Sequence, residues 1–202
     1  MIENDIILPI FPDAILKTGL SDEVPKDVLD CAFENHKDLL WSTTNHLSEN
    51  MNVIKGLSIE KQINKKLTEY VNTVYKPKNK ISVYITESWF TYTHPGHWHH
   101  KHSHTNSFLS GVYYVNCNKN DSIIFFKEDK TLINIEAMEQ NDFNSRSWIV
   151  PVSNGDLVIF PSYIEHSVDK NAHEKNTRIS LAFNTFIKGE INSKITVGLN
   201  IK

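Results

Sequence analysis

Cysteine is scarce in this sequence: Cys31 and Cys117 are the two in 202 residues. They form neither a disulfide framework nor a CxxC pair, so reduced thiols in a cytoplasm are the expectation. Long apolar runs are missing as well. No stretch approaches the roughly 20 residues of a membrane-spanning helix, which excludes a spanning role. Positive charge is not in excess: 21 Lys and Arg face 24 Asp and Glu, a net charge of −3. That leaves no electrostatic footprint for duplex nucleic acid or an anionic membrane. Met1 to Asp5 carry acid where a signal peptide would be basic. There is no internal repeat and no low-complexity linker. The length is enough to bury a core without staples, and we read residues 1–202 as one domain. Within it, 1–79 supply an N-terminal strand and supporting helices, 80–188 a β core and 189–202 a tail. The oligomeric state is not legible.

The texture changes along the chain. Residues 6–16 are apolar with Pro9 and Pro12, a short strand or edge segment. Residues 24–41, entered through Pro25, space apolar side chains as an amphipathic helix does. In residues 58–75, Ile59, Ile63, Leu67, Val71 and Tyr75 recur every fourth position behind Ser58 as a candidate N-cap, a second helix stopped by Pro77. From residue 80 the period becomes two. Segments 81–93, 107–116, 121–127, 146–151, 156–160 and 178–186 are rich in β-branched and aromatic residues and are separated by turn chemistry. Helices followed by many short strands predict a mostly β fold, a jelly roll or double-stranded β-helix with the helices packed on one sheet.

What the chain does have is histidine. Ten occur, and six of them fall between positions 94 and 104. Histidine is the commonest metal ligand and a frequent acid–base group. On a strand, side chains two apart share a face, so His102 points with His104, and His100 joins them if the strand is regular. His97 and His99 form a second such pair. Two imidazoles on one strand and a ligand from elsewhere make a facial set with open positions. GDLVIFPSYIEHSV, residues 155–168, offers His166 as that remote ligand. A hairpin through 169–177 would return Arg178 beside it, with Ser180 two residues on. Guanidinium and hydroxyl on one face suit a carboxylate.

With HSHTNS at 102–107, SGVYYV at 110–115, GDLVIFP at 155–161, His166 and RIS at 178–180, the chain resembles the iron(II)/2-oxoglutarate-dependent oxygenase superfamily. Within it the likeness is to a little-characterised group from bacteria and their viruses. It covers residues 80–188, with a weaker echo at 8–11. The resemblance implies that His102 and His166 are iron(II) ligands and that Arg178 and Ser180 hold the distal carboxylate of 2-oxoglutarate. It also implies that Tyr92 and Tyr114 contact this co-substrate, with O2 as the oxidant. The superfamily's usual motif is His-x-Asp/Glu…His, and this chain has His104 where the acid is expected. No Asp or Glu lies between positions 88 and 120 to replace it. Either His104 completes a three-histidine site, or Asn106 or water fills the place.

The expectation is therefore a dioxygenase, a hydroxylase of a small molecule or a protein side chain. Two other readings stay open. One is a cupin-like three-histidine metal oxygenase that needs no 2-oxoglutarate. The other is a non-enzymatic metal-binding jelly roll of a viral particle. Neither needs a buried carboxylate clamp, so Arg178 separates them from the first. The remaining histidines, His94, His97, His99 and His100, are expected at the pocket mouth, behind the ligands or in solvent. Choice of substrate is expected in residues 1–79 and in the insertion at 128–147.

Overall fold

The computed structural model describes residues 12–37, 39–41, 44–128, 133, 135–192 and 199–201. The strand expected at 6–16 lies mostly outside them, and the first described strand is β1, Leu16–Gly19. Helix α1, Lys26–Asn35, follows, then β2, Leu39–Trp41, and β3, His46–Ser48. Helix α2 is Glu60–Val74. The β core comprises β4, Ile81–Thr93; β5, His99–His102; β6, Leu109–Asn116; and β7, Ser122–Phe126. It continues with β8, Ser147–Pro151; β9, Asp156–Pro161; β10, His166–Val168; and β11, Arg178–Glu190. A short β12, Asn200–Ile201, pairs with the end of β11.

The strands make two antiparallel sheets, the layers of a jelly roll. The larger has the order β1-β9-β6-β11-β4-β3-β2, and the smaller β5-β10-β7-β8. Strand β4 occupies the whole stretch that its period of two predicts. Its Phe90 and Tyr92 are fully buried toward the helices, while Trp89, Thr91 and Thr93 face the space between the sheets. On β11, in register with β4 through Arg178↔Thr93 and Leu181↔Phe90, Leu181 goes to the helices and Arg178, Ser180 and Ala182 to the inside. Val28 and Ala32 of α1 and Ile63, Leu67 and Val71 of α2 complete the helix-side core. Each large aliphatic buried there contributes roughly 1.5–3 kcal/mol.

Two helix boundaries depart from the sequence reading. The helix expected over 24–41 ends at Asn35. After Ala32 the next inward positions are polar, and the Asn35 side chain turns back to donate to the Cys31 carbonyl at 2.9 Å. Leu39 to Trp41 then leave as a strand paired with β3. Ser58 does not cap α2. Its hydroxyl and amide both reach the carboxylate of Asp27, at 2.8 and 2.7 Å, tying the start of α2 to the first turn of α1. No helix among the described residues is long and apolar enough to cross a membrane.

Candidate active site

His102 and His166 face each other across the β5–β10 pair, as register partners. His104 lies just past the end of β5, its amide donating to the Ser162 carbonyl at 2.9 Å. One potential ligand nitrogen of each of the three lies within 4.8 Å of the others, and no other such group of three occurs among the described residues. The tautomers are set from behind. Nδ1 of His102 sits 2.8 Å from the His100 carbonyl and Nδ1 of His166 3.1 Å from that of Ile164. As N–H donors there, both rings are left with a bare Nε2 toward the centre. The Nε2 atoms of His104 and His166 are 3.4 Å apart, a spacing that one cation can bridge with nitrogen bonds of about 2.1 Å. Asn106, the alternative third ligand, is exposed in a left-handed turn, with φ of 55°.

Burial, reinforced by the neighbouring imidazoles, lowers the pKa of His166 to about 3 and that of His104 to about 4. His102 is also lowered, again mainly by burial. All three are therefore neutral near pH 7, the form that binds metal.

The regular alternation expected along 100, 102 and 104 does not hold. The register of β10 against β5 slips between His166, opposite His102, and Val168, opposite His99. This irregularity brings His99 into the cavity. Its ring stacks on His102 at 4.4 Å, and burial lowers its pKa to about 3. His100 is exposed, offers its carbonyl to His102 and sets its ring against those of His99 and His102, at 5.5 and 5.2 Å.

His94 and His97 belong elsewhere. With His36 and His46 they form a second cluster of rings on the helix side of β4, at centroid spacings of 4.9–5.8 Å. Their nitrogens do not converge on a point.

Arg178 is buried on the wall formed by β11, and its Nη1 donates to Asp121 Oδ1 at 2.9 Å. Its Nη2 donates to the Asp169 carbonyl at 3.0 Å. Ser180 lines the same cavity, as does Tyr114, whose hydroxyl is buried and finds no hydrogen-bond partner among the described residues. Tyr92 does not join them. It is one residue off the inward set of β4, and its hydroxyl donates to the Ala32 carbonyl of α1 at 2.6 Å. The co-substrate contact expected of Tyr92 is therefore replaced by a structural bond that pins α1 to the sheet. Sequence reasoning missed two residues here. They are Asp121, for which a carboxylate at a strand entry was the only signal, and Trp89, whose ring lies 6.3 Å from that of His104. His99 takes one of the places expected of it, behind a candidate ligand.

These residues fit iron(II) and 2-oxoglutarate. Three neutral nitrogens converge with room beside them, and a buried cation and an unpartnered buried hydroxyl line the same cavity. The profile of a family described as "Putative 2OG-Fe(II) oxygenase" matches residues 87–184. That span contains all of the site residues above.

Among solved structures, a Pseudomonas putida prolyl-4-hydroxylase is 15% identical with a TM-score of 0.53, covering 85% of this chain and 92% of its own. HygX from Streptomyces hygroscopicus, solved with nickel and 2-oxoglutarate, is 10% identical with a TM-score of 0.57, covering 86% and 82%. The α-ketoglutarate-dependent carbocyclase SnoK from nogalamycin biosynthesis is 8% identical with a TM-score of 0.58, covering 94% and 83%. At such identities the likeness concerns the fold. No curated protein matches the sequence.

Proposed function

We propose that this chain, an oxidoreductase of the iron(II)- and 2-oxoglutarate-dependent oxygenase superfamily, is a hydroxylase. In this reading His102, His104 and His166 hold its metal, and Arg178, Ser180 and Tyr114 hold its co-substrate. The observation that carries the reading is the presence, on one cavity, of convergent neutral imidazoles and a buried arginine beside an unpartnered tyrosine hydroxyl. Bound iron(II), with 2-oxoglutarate and O2, supplies the oxidising chemistry.

The protein's own part is geometric. The carbonyls of His100 and Ile164 fix two imidazole tautomers. Arg178 and Ser180 offer N–H and O–H donors to the distal carboxylate, and Tyr114 adds a third donor from the neighbouring strand β6, where it pairs with Ser180. Phe160 and Ile123, also on the cavity wall, keep the site apolar between its two polar ends, which strengthens each charged contact.

The substrate class is a small molecule or a protein side chain. In keeping with this, the fold relatives include a prolyl-4-hydroxylase and HygX, which was also solved with hygromycin B bound. Residues 80–188 form the catalytic core of a single domain in this reading, and the two free thiols accord with a cytoplasmic location. The test is turnover of 2-oxoglutarate without any prime substrate. With iron(II) and ascorbate the chain forms succinate, the His166→Ala variant does not, and Arg178→Met needs about ten- to a hundredfold more 2-oxoglutarate to do so. Succinate at the parent rate from both variants would refute the assignment.

A further inference from the structure

We propose that Asp121 is a resident counter-ion of the co-substrate clamp. It keeps Arg178 assembled while the cavity is empty, and it sets the affinity for 2-oxoglutarate by competing for the same guanidinium. The proposal rests on the reading of Arg178 as the residue that meets the distal carboxylate.

The pair is dry and fixed. Side-chain exposure is 6% for Arg178 and 9% for Asp121, at an N–O distance of 2.9 Å. The other carboxylate oxygen of Asp121 accepts from the Asn118 amide at 2.7 Å, and its carbonyl accepts from the Val152 amide at 3.0 Å. Asp121 therefore cannot swing away. An unpaired guanidinium buried this deeply would be strongly destabilising. Asp121 removes that cost by cancelling the charge.

The same cancellation changes what an arriving dianion meets. Among the described residues no carboxylate joins the three neutral imidazoles at the metal end of the cavity, and the sequence holds no acid between positions 88 and 120. The carboxylate that this superfamily's usual motif places at the metal is absent there, and one stands instead at the opposite end, on the clamp. A second carboxylate reaching Arg178 finds a neutral pair and is repelled by Asp121 at short range.

Linkage then fixes the signs. Removing the charge while keeping the shape must destabilise the empty protein and tighten 2-oxoglutarate, because the ligand becomes the counter-ion. A purely architectural Asp121 would give the loss of stability with unchanged or weaker binding.

The experiment measures 2-oxoglutarate binding by calorimetry, and thermal unfolding with and without it, on nickel(II)-loaded protein. The variants are Asp121→Asn, Arg178→Met, the double variant and Asp121→Glu. Asp121→Asn is expected to lower the ligand-free Tm by about 5–15 °C and to bind 2-oxoglutarate roughly 3–10-fold more tightly. The double variant should regain much of the lost Tm and bind as weakly as Arg178→Met. Asp121→Glu, which keeps the charge and drives it further onto Arg178, should bind more weakly than the parent. If Asp121→Asn binds 2-oxoglutarate no more tightly, the proposal is overturned. Should that variant not fold, tighter binding by Asp121→Glu overturns it equally. Parent-like binding by Arg178→Met is a separate result, and it overturns the underlying reading instead.

Discussion

Phenylalanine at position 114 should make the empty protein more stable and the co-substrate weaker. Tyr114 is 2% exposed, and its hydroxyl is buried beside Arg178 and Ser180 without a hydrogen bond. An unsatisfied buried hydroxyl costs about 1–3 kcal/mol, and an ordered water reduces that toward the lower end. Tyr114→Phe deletes the group without opening a cavity. About 1 kcal/mol of stability is therefore gained, a rise in Tm of about 2–4 °C for a chain of this size. In the proposed complex the hydroxyl donates to the distal carboxylate, and a hydrogen bond to a charged group is worth about 1.5–3 kcal/mol. Its loss weakens 2-oxoglutarate by about ten- to a hundredfold. Differential scanning fluorimetry of the metal-loaded, ligand-free protein reads the first effect and calorimetry the second. The two signs are opposite, which no simple packing role produces. A fall in Tm with unchanged 2-oxoglutarate affinity would rule out the co-substrate contact and make Tyr114 a core residue like Tyr113.

Three further outcomes are expected. Arg178→Met should keep the metal and lose 2-oxoglutarate affinity by about ten- to a hundredfold, read by calorimetry; unchanged affinity favours the three-histidine oxygenase that needs no 2-oxoglutarate. His104→Asp should retain iron(II) and extend its binding to lower pH. It should also reduce the relative preference for copper, nickel and zinc, since a carboxylate replaces an imidazole; competition titrations measure this, and unchanged selectivity would place His104 outside the coordination sphere. The metal-free chain should lose stability on acidification. Burial lowers the folded pKa values of His46 and His94, so the unfolded chain protonates first. Their contribution is full above about pH 6.5, the ordinary value, and fades as the pH falls below it. A denaturation series flat from pH 7.5 to 5 would contradict this.

Much of the architecture was legible because it is local. The thirteen-residue alternation of 81–93 became β4 without adjustment, and the fourfold spacing from Ile59 to Val71 became the buried face of α2. The break after Asn35 was less visible, because Leu39, Leu40 and Trp41 continue an apolar pattern whose partner strand, β3, is supplied from further along the chain. At the site, the shared face of His102 and His104 and the turn signals before His166 marked candidates, but spacing also offered His97 with His99, and the resemblance made the choice. The faces of single residues could not be read. Tyr92 and Tyr114 looked equivalent in sequence, yet the β4–β11 and β6–β11 registers turn one toward α1 and the other inward. His99 needed the slip in the β5–β10 pair to enter the cavity. Asp121 and Arg178 are 57 residues apart, and only the packed fold brings them to 2.9 Å.

In the proposed function His102, His104 and His166 hold one iron, and 2-oxoglutarate binding depends on it. Native mass spectrometry of the anaerobically iron-loaded chain, with and without 2-oxoglutarate, tests this. One iron per chain is expected, with one 2-oxoglutarate bound only alongside iron. Both should be lost in His102→Ala and in His166→Ala, while His94→Ala, in the second histidine cluster, keeps both. Full iron and 2-oxoglutarate occupancy in His166→Ala would contradict it.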